Sequence, residues 1–298
     1  ALSVLIGTAK AFQLPAQQSI TPLLVPASLL PRALAFSSAG MQAAIIAGPA
    51  IGGFVYVAGA TAVYASCAAL FVLAGALVLA LRYEHEPAAV QRATLETLLA
   101  GVRFVWQRRV VLGAISLDLF AVLLGGATAL LPMFAKDILH TGPWGLGLLR
   151  AAPALGALGT ALLLARWPIR QRAGTVLLAA VGVYGAATLG FALSTWLALS
   201  IVMLAVSGAA DMISVVIRQS LVQLETPEAM RGRVSAVNSV FIGASNQLGE
   251  FESGLTAALL GPVGSVLLGG LGSMAIAALW VRLFPALARR DRLVEHTP

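Results

Sequence analysis

The stretch Gly48-Pro49-Ala50-Ile51-Gly52-Gly53 decides the fold because of the residues on either side of it. In water, a run so rich in glycine and proline is typical of a turn. Here it lies inside an uncharged apolar run from residue 33 to residue 81, which is long enough to cross a bilayer. We therefore predict a membrane helix whose small residues let a second helix approach closely and whose Pro49 bends it.

The same stretch belongs to an internal repeat. A shift of 201 residues places Gly48 on Gly249 and Gly53 on Gly254, and further identical residues precede both pairs. The two copies run in the same orientation, about two hundred residues apart, which indicates two related halves in one chain.

The composition supports a membrane protein. Of the 298 residues 59% are hydrophobic and only 10% are charged, whereas a soluble domain carries about 25% charged residues. The single cysteine, Cys67, excludes a disulfide framework and a metal site built from several cysteines. A net charge of +7 suggests nucleic acid, but the basic residues cluster in the connections between apolar segments, so we attribute the charge to membrane topology.

Nine segments are apolar and long enough to span a membrane. They lie at about 2–24, 35–56, 60–81, 110–133, 145–165, 173–193, 196–222, 234–258 and 263–284. A repeat of this length fits six helices per half if the first half lacks its opening three. We therefore expect the chain to hold the last nine helices of a twelve-helix protein that is truncated at its N-terminus.

The connections alternate in charge along the chain. Most of the 19 Lys and Arg residues lie on one side, and Lys136 is the basic residue in the connections of the other side. By the positive-inside rule the first side, with the C-terminus, is cytoplasmic. The predicted domains are 1–82, the last three helices of an N-terminal bundle; 83–108, a cytoplasmic linker; 109–288, a six-helix C-terminal bundle; and 289–298, a cytoplasmic tail.

Three motifs resemble one transporter family. GPAIGG at 48–53 looks like the antiporter motif of the major facilitator superfamily. The run from Pro227 to Ser235, with Arg231 and Arg233 in a predicted cytoplasmic loop, and the run from Asn246 to Gly254 are similar to its drug:proton antiporter branch, which includes enterobactin exporters and macrolide efflux pumps. The resemblance implies an all-α fold of two six-helix bundles and a location in the bacterial inner membrane.

Seven ionisable residues lie inside the predicted spans. A charge near the bilayer centre costs about 2.5–3.5 kcal/mol and normally faces a partner or a watery cavity. In the family that the chain resembles, the helices that carry these residues border the central cavity. The candidates for the substrate and proton pathway are Lys10, Asp118, Arg150, Asp211, Arg218, Glu250 and Glu252.

Lys10 and Asp211 occupy the same position of the repeat, which predicts a substrate-binding or proton-sensitive pair, or alternatively a structural ion pair. Asp211 and Arg218 are two helical turns apart, so a shared water rather than a direct bond is expected between them. Asp118 has no evident partner nearby in the sequence, and it is a candidate either for proton transfer or for a hydrogen bond to a neighbouring helix.

The remaining charged candidates lie nearer the outer mouth. Glu250 and Glu252 replace Pro49 and Ile51 of the first repeat, which suggests a cation, proton or substrate site or an interfacial carboxylate. Arg150 is expected to pair with one of them, to bind an anionic substrate or to reach the lipid headgroups.

These features predict a secondary transporter that exports a small organic molecule by proton antiport. The alternatives are a lipid or metabolite transporter with different coupling, and a membrane scaffold that does not transport. The sequence contains no enzyme motif and no metal-ligand spacing, so we expect no catalysis, no cofactor and no metal. The expected partners are the substrate, protons and the bilayer, with no nucleic acid, and the full-length protein is expected to be a monomer.

Reporter fusions test the predicted topology. Fusions after residues 30, 95, 169, 229 and 292 should report cytoplasm, and those after residues 140 and 195 the outside, because the basic connections stay on the cytoplasmic side. Alkaline phosphatase and green fluorescent protein give opposite signals on the two sides. One reversed signal inside the series contradicts the nine-helix prediction.

Overall fold

The structure is a computed structural model. It describes residues 9, 40, 43–44, 47–49, 51–80, 95–125, 127–167, 169 and 171–290. The chain divides into two compact units, one of Ala1–Gly48 with Ala58–Val90 and one of Pro49–Val57 with Gln91–Pro298.

Helices form nearly all of the described residues. In the first unit, α1 spans Ala60–Ala80. The helices of the second unit are α2, Leu95–Gln107; α3, Arg109–Leu124; α4, Pro143–Arg166; α5, Ala173–Ala192; α6, Leu197–Glu225; α7, Glu228–Leu283; and α8, Pro285–Ala288. An apolar helix, Ala47–Ala58, precedes α1.

Six of the helical stretches are long and apolar enough to cross a membrane. Their outward faces carry large apolar side chains, such as Leu162 and Val202, whereas the buried polar side chains include Asp118 and Arg218. A soluble protein reverses this distribution, since water rather than lipid surrounds it. The chain is therefore an all-α, multi-pass membrane protein.

The stretch α7 contains two antiparallel helices joined at Gly261. The backbone of Gly261 has φ 74° and ψ 166°, a conformation that a residue with a Cβ rarely adopts, and Pro262 follows it. The Ser265 hydroxyl reaches back across the bend, 2.7 Å from the Thr256 hydroxyl, and donates to the Ser253 carbonyl at 3.1 Å. These bonds hold the two arms of α7 together where the predicted segments 234–258 and 263–284 meet.

The predicted helix 110–133 is wrong as one continuous element. The α3 helix ends at Leu124, and the chain then forms a 3₁₀ turn, Ala127–Leu130, a short α-helical stretch, Leu131–Met133, and a π-helical turn, Phe134–Ile138. The helix ends in the middle of a span at its C-cap residue Gly125, whose amide donates to the Val122 carbonyl. Irregular backbone at this depth is tolerated where it lines a cavity.

The predicted linker 83–108 contains the packed helix α2. Its Gly101 lies so close to α7 that an added Cβ would be 3.0 Å from the Arg233 carbonyl oxygen, and Val105 is buried. Trp106 on the opposite face is exposed. The α2 helix is therefore amphipathic and rests on the bundle by its small and apolar face.

The end of the chain also packs onto the bundle. The Gly174 amide donates to the Arg290 carbonyl at 3.0 Å, and the Arg290 guanidinium lies 2.7 Å from a Glu225 carboxylate oxygen. Because these contacts join the start of α5, the end of α6 and the residue after α8, they close one end of the bundle.

Buried apolar residues form three clusters in the part of the chain that the structure describes, and two of these contain the largest fully buried side chains. One contains Leu117, Leu177 and Ile217, and the other contains Phe134 and Phe191, whose ring centroids are 4.6 Å apart. Between the clusters the helices α4 and α6 cross at small residues. A Cβ added at Gly208 would overlap the Pro153 carbonyl, and one added at Gly156 would overlap the Ala205 carbonyl.

Substitution of Gly208 tests this crossing. We expect Gly208→Ala to destabilise the protein by about 1–3 kcal/mol, because the added methyl group forces α4 away from α6. Gly182→Ala is the matched control, since nothing lies within 4 Å of its added Cβ inside α5. Thermal unfolding in detergent, followed by size-exclusion chromatography, measures the difference. Equal melting temperatures for the two variants would contradict the close crossing.

Candidate functional site

A polar cavity lies between the two apolar clusters, and we call it the acidic cavity. Its volume is about 220 Å³. Ala121 and Val181 of one cluster and Ala127 and Leu204 of the other contribute to its walls. Its polar walls are formed by Asp118, Thr128, Tyr184, Thr188, Ser207, Asp211, Ser214, Asn246 and Glu250.

A buried ion pair stands at one side of this cavity. Asp118 on α3 and Arg218 on α6 form a salt bridge, with 2.6 Å between a carboxylate oxygen and a guanidinium nitrogen. Both side chains are less than one-tenth exposed. Arg218 Nε also donates to the Ser214 hydroxyl at 3.1 Å. The partner of Asp118 thus lies one hundred residues away in the sequence, on a neighbouring helix, which is the kind of contact that the alternative of a bond to a neighbouring helix describes.

A second cavity of about 230 Å³ lies on the other side of the ion pair, and we call it the arginine cavity. Arg218 lines this cavity, whereas it is absent from the wall of the acidic cavity. The two cavities share Asp118, Asp211, Asn246 and Val122. These shared residues form a polar partition between the two spaces.

Asp211 lies in this partition without an ion-pair partner among the described residues. Arg218 and Asp118 both act on it electrostatically, but the Arg218 guanidinium bonds to Asp118. Asp211 is exposed to the cavities that it lines. It is thus the carboxylate of the partition that is open to a ligand or a proton.

The broken end of α3 forms another wall of the acidic cavity. The Tyr184 hydroxyl of α5 donates to the Gly125 carbonyl at 2.9 Å, and the Ala127 amide donates to the same carbonyl at 2.7 Å. Since both groups bond to this oxygen, the interruption of the helix does not leave the Gly125 carbonyl unsatisfied. Val122 and Gly125 bring the C-terminal end of α3 to the cavity surface.

The outer candidates are only partly brought together. Glu250 is exposed and lines the acidic cavity, whereas Glu252 is half-buried and does not line it. Arg150 is exposed on α4, and in the described part of the chain it forms no ion pair with either glutamate. Of these three residues, the geometry therefore places Glu250 alone at the cavity.

The GPAIGG residues differ in their surroundings. Gly53 belongs to the Pro49–Val57 segment of the second unit, where an added Cβ would be 2.7 Å from the Pro143 carbonyl oxygen. Nothing lies within 4 Å of a Cβ added at Gly48 or Gly52, and Pro49 is half-buried in the helix. Lys10, the repeat partner of Asp211, lies outside the described residues.

Two predicted loop residues are helical. Arg231 and Arg233 lie in the first turns of α7, which begins at Glu228 after Pro227, rather than in a connecting loop. Pro227 is the N-cap residue of this helix, with φ −55° and ψ 148° and no side-chain cap bond. The Arg233 side chain is exposed.

Sequence reasoning missed Tyr184, Ser214 and Asn246, which line the cavities without carrying a charge. The available signal was a polar side chain inside an apolar span, which is weaker for a hydroxyl or an amide than for a charge. Within the described ranges, no group of three His, Cys, Asp or Glu residues is arranged to hold a metal ion.

Comparison with known proteins assigns the chain to a family. A sequence profile of the Major Facilitator Superfamily matches residues 1–249, and the chain belongs to this superfamily of transporters. It is 28% identical over 277 residues to the enterobactin exporter EntS of Citrobacter koseri, covering 90% of this chain and 65% of that protein. It is also 28% identical over 271 residues to the enterobactin exporter EntS of Escherichia coli O1:K1, with the same coverage. The chain thus spans about two-thirds of the length of these relatives.

Substitutions at the GPAIGG glycines separate close packing from a simple bend. In the protein expressed from its complete gene, Gly53→Leu should lower transport about tenfold or more while leaving membrane insertion intact, because leucine meets the start of α4. Gly52→Leu is the matched control one residue away and should transport nearly as well as the wild type. Export of a labelled test compound from cells, normalised to the membrane-inserted amount of protein, measures both. Equal transport by the two variants would show that close approach at Gly53 is not needed.

Proposed function

We propose that this protein is an inner-membrane exporter that exchanges a small organic molecule for protons by alternating access. In this proposal it acts as a monomer, with its C-terminus in the cytoplasm and with the N-terminal bundle of its family completing the transport path. The observation that carries the proposal is Asp211, an open carboxylate shared by two cavities beside the Asp118–Arg218 pair. The similarity to enterobactin exporters supports export as the direction.

The partition provides a physical basis for coupling. Arg218 neutralises Asp118 directly, so the proton-accepting role falls to Asp211, with Glu250 as the other carboxylate facing the same cavity. Tyr184 lines the same cavity as both aspartates. Protonation of Asp211 removes a negative charge from the partition and weakens its hold on a bound ligand or on a neighbouring cation. Proton entry and substrate release are thereby linked through competition for one carboxylate.

Alternating access requires that the partition between the two cavities can open. The Asp118–Arg218 bond joins α3 to α6, so a relative movement of these helices separates the pair and joins the two cavities. Removing one partner of a buried pair leaves an uncompensated charge and is strongly destabilising, whereas a reversible movement into a hydrated cavity avoids much of that cost. We therefore assign to the pair the role of a closure, and to Asp211 the role of the proton-binding group.

The experiment compares two modes of transport in proteoliposomes that contain the complete protein. We expect Asp211→Asn to reduce enterobactin movement driven by a pH gradient by about tenfold or more, because the amide has the same size but does not titrate. Exchange of labelled for unlabelled enterobactin without a gradient should persist, since it requires no proton.

The control variant is Asp137→Asn, an exposed carboxylate in the π-helical turn that lines neither cavity. It should behave like the wild type in both assays. Loss of gradient-driven movement in the control as well, or full gradient-driven movement by Asp211→Asn, would refute the role of Asp211. Wild-type movement that ignores the pH gradient would refute proton exchange.

A further inference from the structure

The charges that face the acidic cavity are all negative among the described residues. Its ionisable lining groups are Asp118, Asp211, Glu250 and the phenol of Tyr184, and the described wall contains no Lys, Arg or His. A cavity at membrane depth with several carboxylates and no facing cation attracts positive charge, because water screens the carboxylates only in part.

The buried arginine does not cancel this excess. Arg218 contacts the arginine cavity, and its guanidinium is held by the Asp118 carboxylate and the Ser214 hydroxyl. Its single positive charge is therefore used to balance Asp118. Asp211 and Glu250 remain unbalanced by any described ion pair.

The broken helix adds negative potential from the backbone. The C-terminal end of α3 reaches the acidic cavity at Val122 and Gly125. The C-terminal end of a helix carries the equivalent of up to about half a negative charge, which here is reduced because the Ala121, Val122 and Gly125 carbonyl groups accept hydrogen bonds. This contribution comes from the main chain, so it is independent of the protonation of any side chain.

The rest of the cavity wall is largely apolar and can contact an apolar group of a ligand. Pro153, Val181 and Leu204 line the cavity, and its volume is about 220 Å³. A dry cavity of about 150 Å³ holds a benzene molecule, so this one holds an aromatic ring with a small substituent. A larger molecule would insert one such group and leave its remainder outside.

We infer that the acidic cavity takes an organic cation, with a protonated amine or quaternary ammonium between Asp211 and Glu250 and an apolar group against Val181 and Leu204. This substrate class rests on the proposed transport function and makes it specific. It distinguishes this chain from an exporter whose cavity selects neutral or anionic catechol compounds.

Two small probes of opposite charge test the inference on the complete protein in detergent. Benzyltrimethylammonium and benzylsulfonate share a benzyl group and differ in the sign of their charge. Equilibrium dialysis with labelled probes at neutral pH should show binding of the ammonium compound at least about tenfold tighter than of the sulfonate. Equal binding, no binding of the ammonium compound, or tighter binding of the sulfonate would overturn the inference.

A matched pair of variants locates the binding site. Glu250→Gln should weaken binding of the ammonium probe about tenfold, whereas Glu252→Gln, two residues along the same helix and outside the cavity wall, should leave it unchanged. The binding data for each variant are used only if its size-exclusion profile matches that of the wild type, which shows that it is folded. The comparison of the two probes on the wild-type protein does not depend on either variant. Equal weakening by both variants, or by neither, would place the cation elsewhere and contradict the site.

The two proposals fail separately. Binding of the ammonium probe without gradient-driven transport of any cation would retain the cation site and refute the exporter. Proton-driven export of enterobactin by a protein that prefers benzylsulfonate would retain the exporter and refute the substrate class.

Discussion

The bond between Asp118 and Arg218 is the constraint on which the interior of the bundle depends. Two charges inside the membrane are tolerated because the Asp118 carboxylate and the Arg218 guanidinium neutralise each other at a distance of 2.6 Å. The Ser214 hydroxyl accepts a further hydrogen bond from Arg218 Nε. The pair joins α3 to α6 at Asp118 and Arg218. Because Asp118 lines both cavities, this contact also positions the partition between them. Without it, Arg218 would be a buried cation with only a serine hydroxyl as a described hydrogen-bond acceptor.

Besides the apolar clusters, hydrogen bonds to backbone carbonyl groups and close backbone crossings hold the helices around this pair. Two carbonyl groups of α3 and that of its C-cap residue accept hydrogen bonds from side chains of other helices: Gly113 from Trp280, Ala121 from Ser273 and Gly125 from Tyr184. Close crossings at Gly208 and Gly269 bring neighbouring backbones together. In lipid the hydrophobic effect does not drive one helix onto another, so packing and hydrogen bonds of this kind take its place.

The sequence predicted the elements well and their interactions poorly. Apolar length and the charge of the connections were enough to place α1, α4, α5 and α6 within a few residues, because a bilayer fixes the length of a span. The break after Leu124 was missed, since small residues in an apolar span usually indicate close packing rather than a helix end. The Asp118–Arg218 pair was missed because its members are one hundred residues apart, and periodicity along one helix carries no information on such contacts.

The fixed charge of Arg218 has an electrical consequence. An arginine side chain is a permanent cation in proteins. Arg218 and the two aspartates of the partition, Asp118 and Asp211, therefore carry a net charge of about −1 when both carboxyl groups are ionised, and protonation can only make this charge more positive. If one proton replaces one monovalent organic cation, the loaded site has the same charge in both directions, and the cycle is electroneutral. If two protons replace it, one charge crosses per cycle, and a membrane potential of 100 mV contributes about 2.3 kcal/mol to transport. In the proposed proton exchange, the number of carboxylates beside one permanent cation thus decides whether the membrane potential adds to the pH gradient as a driving force.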